Sequence, residues 1–192
     1  MIYVPLDIET TGLDPERDQV LEIALLIEDT NDLKPVDELP SFVARIWHER
    51  IEGNPRSIAM NADLIAAMAE HGKPRLPEMG VTPGWYGGLY HAENQALHFM
   101  RSHIERRPFV FAGKNVAGFD LQFLPLLRAQ AHRRTIDAGS VALGGYRGWG
   151  KSDTPPSLED LKGGEVAHTA LQDARDVVTA IRKSTDNYGR DP

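Results

Sequence analysis

The sequence contains no cysteine, which excludes disulfide bonds and thiolate metal sites. No stretch approaches the ~18 apolar residues that a membrane-spanning helix needs. The N-terminus also lacks a basic segment followed by an apolar signal core, because Asp7 and Glu9 interrupt its first apolar run. Internal repeats and low-complexity segments are absent as well. We therefore expect a soluble, cytoplasmic protein with no membrane partner.

Positive charge is also scarce, since 21 lysines and arginines face 28 acidic residues and the net charge is −7. This balance argues against a nucleic-acid partner, which favours a basic surface. The argument weakens if carboxylates bind metal ions, because neutralising four of them changes the charge from −7 to −3. An enzyme with one active site also needs only a small basic rim. The charge therefore leaves nucleic acid open as a substrate.

The 192 residues are 41% hydrophobic and suffice for one domain with a buried core. Three apolar segments with short connections predict an antiparallel meander, and two later segments predict a central strand and a brief strand. Apolar residues at helical spacing predict the helices. The predicted strands are the opening segment and residues 19–28, 41–47, 108–112 and 135–137. The predicted helices are 56–71 (with Asn61 as an N-cap), 92–106, 119–131, 157–161 and 168–183, and the predicted Gly/Pro-rich loops are 72–90 and 144–157.

Two carboxylates stand two residues apart in the first strand, at Asp7 and Glu9. Side chains at this spacing lie on the same face of a strand. Neighbouring buried carboxylates raise each other's pKa, and a divalent cation removes the repulsion. Asp-x-Glu alone is a weak signal, but the apolar neighbours Leu6 and Ile8 and the Thr-Thr-Gly turn that follows favour a metal site.

Three further groups could join this pair, at Asp120, His168 and Asp173. Asp120 begins a predicted helix, where an acidic residue is also favourable without any catalytic role. On the last helix Asp173 lies roughly 100° from the centre of the apolar stripe, at its flank. His168 reaches the same site only if it precedes the helix or lies at its start. Taken alone, a histidine there is more often a surface residue.

Together, the three motifs resemble the DEDD-type 3′→5′ exonucleases of the histidine subclass, which include proofreading exonuclease subunits and oligoribonuclease. The matching segments are residues 7–13, 115–120 and 168–174. The resemblance implies a ribonuclease H-like α/β fold of three layers, with a mixed sheet of about five strands whose first three are antiparallel, flanked by helices. It implies one exonuclease domain over residues 1–183, and we expect the polar tail 184–192 to be frayed.

The resemblance also implies the reaction, which is hydrolysis of phosphodiester bonds at the 3′ end of single-stranded DNA or RNA to nucleoside 5′-monophosphates. It implies two Mg²⁺ or Mn²⁺ ions held by Asp7, Glu9, Asp120 and Asp173. His168 would be the general base, since histidine has a pKa of about 6.5. The positions that match substrate contacts are Thr10, Thr11, Gly12, Leu13, Asn115 and Phe119, and Lys114, Arg147 and Lys151 are candidate phosphate contacts.

Two features depart from this family pattern. Pro5 lies inside a central strand, where it removes a hydrogen-bond donor and therefore requires a bulge or a position outside the ladder. The spacing from Asn115 to Asp120 is closer to that of oligoribonuclease than to that of proofreading subunits. The loop 72–90, in contrast, does not resemble oligoribonuclease. The preference for DNA or RNA stays open. The alternatives are a catalytically idle ribonuclease H-like module, which binds nucleic acid or assists a polymerase, and another metal hydrolase such as a phosphatase.

Overall fold

The computed structural model describes residues 1–74, 83–145 and 169–186, which contain seven strands and seven α-helices. The strands are β1 (Ile2–Thr10), β2 (Val20–Leu26), β3 (Glu28–Asp29), β4 (Ser41–Ile46), β5 (Gly84–Tyr86), β6 (Phe111–Gly113) and β7 (Ile136–Asp137). The α-helices are α1 (Pro55–Met60), α2 (Ala62–His71), α3 (Leu89–His103), α4 (Asp120–Phe123), α5 (Pro125–Ala129), α6 (Ala138–Gly145) and α7 (Ala170–Asp186), and a short 3-10 helix spans Val36–Glu38. No helix of these ranges is long and apolar enough to cross a bilayer.

The strands form one mixed sheet in the order β5-β4-β2-β1-β6-β7, with β3 paired to β1. β1, β2 and β4 are antiparallel neighbours, and β6, β7 and β5 add in parallel. The predicted meander is therefore confirmed. The sheet has seven strands rather than about five, because β3 continues the second predicted strand and β5 lies within the predicted loop 72–90. That loop prediction is wrong for Gly84–Tyr86, which pair with β4 and are buried.

Pro5 fits into β1 because the pairing on one side of the strand is interrupted there. The register of β1 with β3 ends at Tyr3, and the register with β2 begins at Leu6. On the other side, Val4 and Pro5 pair with β6, where the Val4 N–H donates to the Val110 carbonyl at 2.8 Å. Pro5 therefore pairs with β6 but lies between the β3 and β2 registers, so its missing N–H removes no hydrogen bond that β2 requires.

Helices cover both faces of the sheet and complete three layers. One face buries Val4, Leu6 and Ile8 against α3, α4 and α5 in the largest apolar cluster. The other face packs against α6 and α7, with Tyr3 and Ala112 contacting the apolar stripe of α7. Because side chains alternate along a strand, Asp7 and Glu9 face the side of α7. The fold thus directs both carboxylates toward the last helix.

Two helices predicted as continuous are broken. The predicted helix 119–131 is divided into α4 and α5, because proline at position 125 keeps Leu124 out of the helical conformation (φ −118°, ψ 74°). The buried carboxylate of Glu93 then accepts hydrogen bonds from the N–H groups of Leu126 and Leu127, which begin α5. The predicted helix 56–71 is likewise divided into α1 and α2 at Asn61. Asn61 occupies the N-cap position of α2, but its side chain makes no cap hydrogen bond.

The last helix begins where Thr169 caps it, since the Thr169 hydroxyl accepts a hydrogen bond from the Gln172 N–H. The predicted apolar stripe faces the sheet: Ala170, Ala174, Val177, Val178 and Ile181 are buried. The helix continues to Asp186, so residues 184–186 of the expected tail are helical. The predicted helix 157–161 and the loop 144–157 beyond Gly145 lie outside the described residues, whereas residues 144 and 145 end α6. The domain boundary at 183 stays a prediction.

Candidate active site

Three carboxylates converge at the end of β1. Asp7 and Glu9 lie on the α7 side of the strand, and α7 places Asp173 opposite them on the flank of its buried stripe. Ligand oxygens of these three residues lie within 4.8 Å of one another, and all three side chains are partly exposed. Ligands of hard divalent cations lie about 2.0–2.6 Å from the ion, so those of one site are at most about 5 Å apart. The oxygen donors and their spacing therefore fit one such cation.

Asp120 approaches the same place from the opposite layer. It is 3% exposed, and its carboxylate accepts hydrogen bonds from its own backbone N–H and from that of Ile8, the residue between Asp7 and Glu9. It lies outside the group of three whose ligand atoms are within 4.8 Å. The charge of Asp120 nevertheless raises the pKa of Asp7. The structure thus brings together all four predicted acidic residues, three as close neighbours and Asp120 beside Asp7.

Three of the four carboxylates, Asp7, Glu9 and Asp120, hold protons more tightly than usual. Burial is the main cause at Asp7, whose pKa is well above its ordinary range, and the charges of Asp120, Asp173 and Glu9 add to the rise. Burial also raises the pKa of Glu9 to about 7, with a further rise from Asp173. The pKa of Asp120 is likewise raised by burial to about 7. A cation at this cluster would remove the repulsion that the protons now relieve.

Glu22 is a fifth carboxylate beside the cluster. It lies on β2 directly opposite Glu9 and is buried, and its charge raises the pKa of both Asp7 and Glu9. Across the next pair of strands, the Arg45 Nε donates to its Oε2 at 2.9 Å. Glu22 therefore has its own cation, and Arg45 brings one positive charge near the site.

The turn after Glu9 uses its threonines to build the fold. The Thr10 hydroxyl donates to the Gly12 carbonyl at 2.6 Å, and the Thr11 hydroxyl accepts from the Gln19 N–H at 2.8 Å. Gly12 is required because a Cβ there would collide with the Asp18 carboxylate. Leu13 extends from this turn and is 79% exposed. Of the four predicted contact positions in the turn, Leu13 has the side chain most available to a substrate.

The second motif forms a tight turn before α4. Asn115 has a positive φ of 58°, and its N–H donates to the Asp137 Oδ2 at 2.8 Å. Its side chain is exposed, as is that of Lys114. Phe119 is half-buried and packs edge-on against Phe123, with ring centroids 5.1 Å apart. Asn115 is therefore accessible to a ligand, whereas Phe119 contributes part of its ring to the core.

Known proteins similar to this chain are nucleases. An oligoribonuclease of Marinobacter nauticus is 28% identical over 190 residues, which cover 95% of this chain and 93% of that protein. An oligoribonuclease of Halorhodospira halophila is 29% identical over 194 residues, or 97% of this chain and 94% of that protein. No protein-family model matches the sequence.

Solved structures with this fold are also nucleases. Cell-death related nuclease 4 (CRN-4) superposes with a TM-score of 0.64 at 13% identity over 98% of this chain, which spans 64% of that chain. Escherichia coli Exonuclease I in complex with a dA16 oligonucleotide gives a TM-score of 0.56 at 17% identity over 96% of this chain, which spans 41% of that one. The resemblance to the DEDD-type 3′→5′ exonucleases of the ribonuclease H-like superfamily is confirmed.

The predicted exonuclease base and two of its phosphate contacts lie outside the described residues. These are His168, Arg147 and Lys151. Since α7 begins at Ala170, His168 precedes the helix in the sequence, as the shared site requires. Its role stays a prediction, and so does the histidine subclass.

The sequence alone does not point to two residues of this candidate site. Glu22 lies in a segment that the sequence predicts as an apolar strand, although an acidic residue in a strand buried on both faces is itself a signal. Arg45 is unremarkable in the sequence and becomes relevant only through its pairing with Glu22. The sequence identifies Asn61 only as a cap position, because its contact with β1 arises from the tertiary structure.

Proposed function

We propose that the protein is a divalent-metal-dependent 3′→5′ exonuclease of the histidine subclass that shortens single-stranded oligonucleotides to nucleoside 5′-monophosphates. The observation that carries the proposal is the convergence of Asp7, Glu9 and Asp173 within 4.8 Å, with Asp120 beside them. Carboxylates that crowd together at a partly exposed hollow are unfavourable without a cation. The similarity to oligoribonucleases and exonucleases makes phosphodiester hydrolysis the function that this arrangement supports best.

In this proposal each residue has a distinct task. Asp7, Glu9 and Asp173 hold the metal, and Asp120 completes the acidic site next to Asp7; two ions of Mg²⁺ or Mn²⁺ are proposed. The bound ions supply Lewis acidity, which favours ionisation of water and stabilises negative charge on the leaving 3′ oxygen. His168 accepts the proton of the attacking water, for which its ordinary pKa of about 6.5 is suited.

Exposed residues around the acidic cluster are the proposed contacts for the substrate. Leu13 offers an apolar side chain against the terminal base, and Asn115 offers an amide to the strand. The relatives at 25–29% identity are oligoribonucleases, and the structural neighbour with dA16 holds single-stranded DNA. Short single-stranded RNA is therefore the first substrate to test, with DNA as the comparison.

Paired ribo- and deoxyribo-oligonucleotides of two to twenty residues, incubated with the full chain and Mg²⁺ or Mn²⁺, test the proposal. We expect stepwise shortening from the 3′ end that EDTA stops, and faster cleavage of the shortest RNAs if the protein acts as an oligoribonuclease. Replacing His168 by alanine should slow cleavage by ~10²–10⁴-fold, whereas His98→Ala, at an exposed position on α3, should not. Binding without shortening would indicate an idle module, and phosphate release without shortening a phosphatase; either result would overturn the proposal.

A further inference from the structure

The junction between α1 and α2 presents a buried polar side chain to the end of β1. Asn61 is 6% exposed, and its backbone groups serve the two helices: its N–H donates to the Ser57 carbonyl and its carbonyl accepts from the Ile65 N–H. Its side chain is therefore free for other contacts. The Nδ2 group donates to the carbonyls of Thr10 and Ser57, both at 3.2 Å.

The contact with Thr10 lies at an irregularity of the sheet. The register of β1 with β2 shifts between Glu9 and Thr10, and such bulges release backbone groups and re-aim side chains. Here the Thr10 carbonyl accepts its hydrogen bond from Asn61. Asn61 is also close to the neighbouring Glu9: burial raises the pKa of this carboxyl, and the Asn61 side chain opposes the rise.

The other end of α1 is held to the next residue of the turn. The Asn54 N–H donates to the Thr11 carbonyl at 2.7 Å. Gly53 packs so closely that a Cβ would collide with Thr11, and its φ of +155° also disfavours a side chain. Both ends of α1 therefore lie against the Thr10–Thr11 backbone, but of these contacts the one made by Asn61 is made by a side chain and lies on the residue that follows Glu9.

We propose that Asn61 is a positioning residue for the metal site, whose side-chain amide holds the Thr10 carbonyl at the register shift beside Glu9 and so keeps the Glu9 carboxylate in the arrangement that faces Asp7 and Asp173. This inference rests on the proposed function. Partners that orient a metal ligand in this way typically change metal affinity by ~10–100-fold when they are removed. Asn61 thus couples the α1–α2 pair to the chemistry without touching the ion.

The test compares Asn61→Ala with Asn54→Ala in the full chain. Asn54 caps α1 through its Oδ1, which accepts from the Arg56 N–H at 2.9 Å, and the substitution leaves its backbone contact with Thr11 in place. Calorimetric titration with Mn²⁺ should show binding weakened ~10–100-fold in Asn61→Ala and less than about twofold in Asn54→Ala. The Mn²⁺ concentration for half-maximal cleavage should shift in parallel, with little change in the KM for oligonucleotide.

A purely structural role would lower the melting temperature of Asn61→Ala and leave its Mn²⁺ affinity unchanged, which would overturn the inference. If Asn61→Ala does not fold, Asn61→Ser retains a donor and should bind Mn²⁺ at least threefold more weakly than the wild type; an unchanged affinity overturns the inference equally. Failure of the wild-type chain to bind Mn²⁺ or to shorten oligonucleotides would instead overturn the proposed function.

Discussion

At the start of β1 a buried carboxylate is fully neutralised, whereas at the end of the same strand carboxylates face one another. Glu28, paired with Tyr3 across β1 and β3, is 0% exposed and accepts two hydrogen bonds from the Arg182 guanidinium at 2.9 and 2.7 Å. The group of three at the other end contains only acidic residues. The first arrangement stabilises the fold, and the second holds charge that an added cation can neutralise.

The helix α7 contributes one charged residue to each of the two regions at the ends of β1. Asp173 and Arg182 are nine residues apart on α7, about 13 Å along its axis. The same buried stripe fixes both residues against the sheet, so the difference between the two regions lies in the sign of one side chain rather than in the packing. The acidic site therefore gathers partly exposed carboxylates of like charge, whereas the other end of the strand follows the rule that buried charges are paired.

The largest expected effect is the loss of cleavage after a substitution in the acidic site at the end of β1. Asp7→Asn should abolish oligonucleotide cleavage because it removes a carboxylate that the other ligands cannot replace. It should also raise the melting temperature of the metal-free protein at neutral pH, since it relieves repulsion in the cluster. Cleavage assays and thermal denaturation check both parts. Near-normal turnover in this variant would exclude Asp7 from the metal site.

A substitution in the Glu28–Arg182 pair should instead lower the stability of the fold and leave cleavage in place. Arg182→Met leaves Glu28 buried without its cation, so we expect a loss of about 3 kcal/mol in the free energy of unfolding, or roughly 6–12 °C in melting temperature. Cleavage at 25 °C should persist while the protein stays folded. The double variant Glu28→Gln/Arg182→Met should recover most of the loss. A loss below about 1 kcal/mol would show that the pair contributes little.

The smallest expected effect is the dependence of stability on pH. Burial raises the pKa of Glu9 and of Asp120 to about 7, whereas both groups titrate near pH 4 in an unfolded chain. Between these values the folded protein binds more protons than the unfolded chain, so the free energy of unfolding falls as pH rises. We expect the melting temperature of the metal-free protein to fall by several degrees from about pH 6 to pH 7.

Denaturation scans in EDTA and in excess Mg²⁺ measure this effect. Bound cation should flatten the pH dependence, because it replaces the protons that the cluster otherwise holds. Asp7→Asn should also flatten it in EDTA, since one source of repulsion is gone. A melting temperature that rises with pH in EDTA would contradict the raised pKa values.

Much of the site could be predicted because it depends on short-range geometry. The spacing of Asp7 and Glu9 places them on one face of any strand, and the apolar stripe of α7 places Asp173 on its flank in any helix that buries that stripe. The first three long strands followed from their apolar runs. Within one strand or helix, the periodicity of that element decides which residues share a face.

The sequence by itself thus determined the layered α/β fold, the meander and the residues that carry the acidic chemistry. Only the tertiary structure decided that β5 joins the sheet, that Glu22 meets Glu9 and Arg45, and that Asn61 reaches Thr10. These features depend on register and on contacts between residues up to 51 positions apart, which no local period encodes. Burial, which raises the carboxylate pKa values, exists only once the layers have closed.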